Sequence, residues 1–141
     1  MSEYLVERVK ALGHPNVSSR HKTTLEVTRD DYLTPTGDCI IAIKADRCFP
    51  DFSPGFLNKL RSDGSRLEIL IECSGVRDKV TAMGDKSLTL KNQDEMVVRK
   101  SSYVCGRTLA VGADKAAADL KRELVAELRK GYEVKVEFRV Y

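Results

Sequence analysis

The residues of this chain best equipped for chemistry are few. His14 and His21 are its only histidines, with six residues between them in GHPNVSSRH (13–21). Imidazole ionises near neutral pH and binds metals through a ring nitrogen, so two at one rim of a sheet are candidates for a metal site or for acid–base work. If the flanking strands form a hairpin, His14 closes one and His21 opens the next. A third strand running antiparallel would bring Asp46 to that rim, and the same construction in the second half would bring Asp85 and Asp114. A plainer reading stands beside this one. His14 precedes Pro15, as a turn residue does, and Asp46 and Asp114 both precede expected helices, where a carboxylate caps exposed N–H groups.

The four cysteines are Cys39, Cys48, Cys73 and Cys105. Cys48 and Cys73 read as small buried packing residues. Cys39, after Asp38, and Cys105, two residues before Arg107, each lead into an apolar stretch, and a thiol beside arginine gains reactivity. With an antiparallel third strand they lie at the end opposite the histidines, which weakens a Cys–His nucleophile pair. If TRDDYLTPTG (28–37) instead crosses over, that strand reverses and the groups meet. LTPTGDC and VCGRT are turns whose N–H groups, with the Arg107 fork, suit a phosphate or carboxylate. Glycine at a tight strand entry explains them equally well, and neither is a P-loop or dinucleotide fingerprint. Arg99, Lys100 and Arg107 with Tyr103 make a modest patch for nucleic acid, or simply a solvated face.

Composition narrows the classes. The chain has 141 residues and a formal net charge of +3, from 24 basic and 21 acidic side chains. That permits an anionic ligand but is too mild to argue for nucleic acid unaided. Without CxxC pairs a structural zinc site is not indicated, and free thiols fit a reducing cytoplasm. MSEYLVERVK has no apolar leader core, and no run reaches membrane-spanning length.

The elements that must position these residues occur twice. VERVKALGH (6–14) matches VRDKVTAMGD (76–85), placing Val9 on Val80, Ala11 on Ala82 and Gly13 on Gly84. TTLEV (23–27) is paired with KSLTL (86–90), CIIAIKAD (39–46) with RTLAVGAD (107–114), and RLEILIE (66–72) with EVKVEFR (133–139). Period-two alternation marks the strands, and the continuous run CIIAI suits a strand buried on both faces. A helix is predicted over 115–130, capped by Asp114, with Ala117, Leu120, Leu124 and Leu128 as one apolar stripe. A shorter one follows a Ser53 cap with Pro54 in its first turn. We therefore expect a single α+β domain, 1–141, of two internal repeats (about 1–72 and 73–141). Its β-β-β-α-β halves would form a pseudo-twofold, mainly antiparallel β-barrel, or two packed half-barrels, with two helices.

GHPNV, DDYLTPTGDCII (30–41) and YVCGRTLAVGADKAAADL (103–120) together resemble a family of small archaeal proteins known as conserved domain of unknown function number 371. The resemblance spans nearly the whole chain. It implies an archaeal cytoplasmic protein and no particular activity. One departure is ADRCFPDF (45–52), where the family carries something nearer the ADKAAADL of 113–120. Arg47 thus stands opposite Lys115.

The expected function is a binding domain for a small anionic or nucleotide-like ligand, built from His14, His21, Asp38, Cys39, Cys105 and Arg107. The alternatives are a metal-assisted hydrolase or transferase using His14 or His21, and an RNA-associated protein. No cofactor and no catalytic set is specified, and no membrane partner is expected.

Overall fold

Alternation of apolar and polar residues gives each long strand one buried face and one wet one. In the computed structural model, which describes residues 3–141, four such strands form the first sheet: β1 (Leu5–Leu12), β4 (Arg66–Cys73), β5 (Val76–Met83) and β8 (Glu133–Val140). Their order is β1-β8-β4-β5, antiparallel throughout. Ile69 lies opposite Phe138 and Ile71 opposite Val136 at the sheet centre, and all four are buried.

The second sheet has the order β3-β2-β6-β7, from β2 (Thr24–Thr28), β3 (Ile40–Ala42), β6 (Glu95–Arg99) and β7 (Thr108–Ala110). β2 and β6 pair antiparallel, but β3 runs parallel to β2 and β7 parallel to β6. Parallel neighbours need a crossover rather than a hairpin. Residues 29–39 and 100–107 make those crossings, so the third strand has the reversed direction. The first two strands form no hairpin either, because β1 and β2 belong to different sheets.

Nor do the strands close into a barrel. One two-bond bridge, Leu12 with Ile43, links β1 to the end of β3, and Met83 with Val111 links β5 to β7 in the same way. Beyond each bridge an aspartate side chain replaces the next backbone partner. Asp46 Oδ1 accepts from the Lys10 N–H and Asp114 Oδ1 from the Thr81 N–H, each at 2.9 Å. These carboxylates end a ladder and do not cap a helix, contrary to the expectation for both.

The second helix is shorter than its apolar stripe suggests. A 3-10 turn at Ala117–Asp119 is followed by extended backbone at Leu120, and α2 spans only Arg122–Leu128. Ala117, Leu120, Leu124 and Leu128 are all buried nonetheless, so the stripe reports burial and not an unbroken helix. In the first half the turn Phe49–Asp51 precedes α1 (Pro54–Leu60), where Ser53 Oγ accepts the Phe56 N–H as a cap.

The matched pairing of 23–27 with 86–90 also needs correction. Residues 86–90 form no strand, and β6 begins at Glu95, although Leu88 and Leu90 are buried in the loop before it. The glycine match, by contrast, has a clear cause. A Cβ on Gly13 would stand 1.9 Å from the Leu128 carbonyl oxygen, and one on Gly84 would stand 2.0 Å from that of Leu60. The ends of β1 and β5 thus each press on the last turn of the other half's helix. The inner faces of both sheets and both helices share one apolar cluster, including Phe56, Phe138, Leu25 and Met96.

Candidate functional site

The two histidines are turn residues whose rings receive backbone N–H groups. His14 Nδ1 accepts from Asn16 at 3.0 Å; His21 Nδ1 accepts from Thr23 and Thr24 at 3.2 and 3.1 Å. At the corresponding places of the second half, Asp85 Oδ1 accepts from Ser87, and Asn92 Oδ1 from Asp94 and Glu95. Asparagine and aspartate commonly fold such turns through a side-chain oxygen, and here the imidazole nitrogen does the same. Among the described residues no three His, Cys, Asp or Glu side chains converge as a metal-ligand group.

The remaining candidates separate into two places. The crossover sets Asp38 beside His21, whose N–H donates to the Asp38 carbonyl. It also carries Cys39 to the second sheet, where the thiol approaches Glu26 Oε1 at 3.8 Å. Arg107, at the end of the second crossover, reaches to 3.9 Å from Glu26 and 3.5 Å from Glu95. No hydrogen bond or ion pair joins His14 to any of them among the described residues.

Glu26 is the member the sequence did not single out, because one acid in an alternating strand looks like any solvated position. It is buried, and burial, helped by the nearby Glu95 charge, raises its pKa to about 7 against the pull of Arg107. Burial and the Glu26 charge likewise push the Cys39 thiol up to about 11. Cys105 goes the other way. Burial alone would raise it, but the Arg107 N–H, the Thr108 hydroxyl and the Arg99 and Arg107 guanidinium groups bring it down to about 7. Arg99 Nη2 sits 3.2 Å from Cys105 Sγ, with Tyr103 against its guanidinium plane at 5.0 Å. The cation expected beside this thiol was Arg107; Arg99 shares the task.

A different surface is open to a ligand. The outer face of the first sheet carries the exposed positions of its strands, and a groove of about 360 Å³ there is lined by residues of all four. Around it Arg8 pairs with Glu137 at 2.9 Å and Arg77 with Glu72 at 3.5 Å. Lys10 and Lys135 are direct cross-strand partners, both exposed, and neither ammonium has a carboxylate within ion-pair distance among the described residues. Alternation in β1 and β8 puts these lysines on the wet face, but only the register sets one against the other.

Among the described residues no helix is long and apolar enough to cross a membrane. A family model described as a domain of unknown function (DUF371) matches residues 9–141. An uncharacterised protein of the archaeon Methanocaldococcus jannaschii is 49% identical over 126 residues, covering 89% of this chain and 93% of that relative. The chain belongs to the DUF371 family.

Proposed function

We propose that this member of the family is a binding protein for a phosphate-bearing anion, seated in the groove on the outer face of the first sheet. The observation that carries the reading is the juxtaposition of Lys10 and Lys135. Like charges directly opposite on a sheet destabilise it, so the arrangement has a cost that an anion between the two ammonium groups would offset. Glu72 lies opposite Lys135 on its other side but turns to Arg77 at 3.5 Å, and Glu137 is taken by Arg8 and Arg139, so among the described residues neither acid forms an ion pair with a lysine. Groove volume and mixed apolar and polar lining, with Leu70 among the basic side chains, fall in the range of small-ligand sites.

Inorganic triphosphate at low salt should raise the melting temperature of the wild type, and the double variant Lys10→Gln/Lys135→Gln should lose that gain. A wild type indifferent to triphosphate, or a variant that responds equally, would overturn the reading.

We infer as well that the two halves descend from one copied segment. Support comes from the recurring contacts of Asp46 with Asp114, His14 with Asp85 and His21 with Asn92 as matched pairs. An experimental structure in which Cα atoms 5–73 superimpose poorly on 76–140 would remove it.

A further inference from the structure

We infer that the occupant of this groove is a single-stranded nucleic acid, its phosphates along the groove and one base stacked outside it, past Arg139, where β8 ends. The inference rests on the anion-binding reading above. What it adds comes from the aromatic pair where β8 runs out. Tyr4 and Tyr141 have ring centroids 5.1 Å apart, with the Arg66 guanidinium 4.4 Å from the Tyr141 ring and that of Arg139 5.2 Å from the Tyr4 ring. Tyr141 is fixed in place, its hydroxyl donating to Glu68 Oε1 at 2.7 Å. Tyr4 remains 42% exposed, a large ring left facing water beside the Arg139 guanidinium.

The placement matters more than the pair itself. Lys135, Glu137 and Arg139 alternate onto the wet face of β8, and Tyr141 follows just past its end, still exchanging backbone hydrogen bonds with Arg66, so the lysine pair and the stack lie roughly 20 Å apart at strand rise. A free phosphate needs only the lysines. A ligand that uses both ends must carry anionic charge at one and a flat ring at the other, with a flexible repeating link between. Single-stranded nucleic acid has that chemistry, and exposed sheet faces with stacked aromatics and basic side chains bind it with little sequence preference.

The test is fluorescence anisotropy at low salt with a labelled uridine oligomer of about ten nucleotides, its deoxy counterpart, the same oligomer in duplex form, and inorganic polyphosphate as competitor. The wild type should bind single strands more tightly than the duplex, whether RNA and DNA bind alike or RNA binds better. Tyr4→Ala should weaken oligomer binding by about tenfold while polyphosphate binding holds, and Tyr4→Phe should restore the oligomer. Lys10→Gln/Lys135→Gln should weaken both ligands. Polyphosphate binding without oligomer binding, a duplex bound as tightly as a single strand, or Tyr4→Ala binding the oligomer like wild type would overturn the nucleic-acid inference and leave the anion reading standing. No binding of either ligand would overturn both.

Discussion

Lys115 places its Nζ 2.6 Å from Asp78 Oδ1, at a carboxylate whose side chain is 2% exposed. The second oxygen of Asp78 accepts the Lys121 N–H, immediately before α2, at 2.9 Å. The first half repeats the device with different residues. Glu7 Oε1 accepts from Arg47 Nη2 and Glu7 Oε2 from the Ser53 N–H, both at 2.6 Å. A buried strand carboxylate therefore ties a basic turn residue to the helix start in each half, and the exchange of Arg47 for Lys115 preserves the tie.

Removing one partner of a buried, hydrogen-bonded charge is costly because the other is left unpaired. Lys115→Met should lower unfolding free energy by about 2–3 kcal/mol in urea titration, whereas Lys115→Arg should cost less than about 1 kcal/mol. Equal losses in both variants would contradict the account. Burial works against the Asp78 charge, but its hydrogen bonds to Lys115, Lys121 and Lys79 hold the pKa below the usual carboxylate value. Its contribution is thus present above the unfolded pKa and lost as pH falls through the folded one.

Glu26 has the opposite sign. Its pKa in the fold is about 7 against an ordinary 4.5, so from about pH 4.5 to 7 the unfolded chain ionises while the folded one keeps its proton. Stability should fall across that window, by on the order of 1–3 kcal/mol, and level off above it. Glu26→Gln should match wild type near pH 4 and exceed it near pH 8. Parallel urea midpoints for the two proteins across that range would refute the assignment.

Cys105 should be the first thiol to react. Its alkylation by iodoacetamide, followed by mass spectrometry, should rise through an apparent pKa near 7, while Cys39, held near 11, stays slow at neutral pH. Arg99→Ala should move the Cys105 profile upward. A wild-type rate still climbing steeply beyond pH 9 would show that the thiolate is not stabilised there.

The histidines should be replaceable by what the other half uses. In His14→Asp/His21→Asn each side chain still offers an acceptor to the same turn, so stability should stay within about 1 kcal/mol of wild type. His21→Ala should cost about 1 kcal/mol through the two N–H groups it strands. A double variant that folds normally yet loses ligand binding would instead make the imidazoles functional.

Much of the frame was legible in the chain itself. Alternation in 66–72 and 133–139 specified strands with one buried face, the apolar stripe of 117–128 specified a buried side, and GHPNV against MGD marked the two glycines that press on helix ends. These are local properties, set by the period of the backbone and the size of a side chain. Direction and partnership were not legible. Whether β3 runs with or against β2 depends on the path of residues 29–39, and nothing in their composition fixes it. Burial of Glu26, the place of Asp46 at the end of a ladder, and the meeting of Lys10 with Lys135 all arise from pairings between strands distant in sequence. Such pairings follow from how two sheets share one apolar interior, and only the tertiary structure decides that.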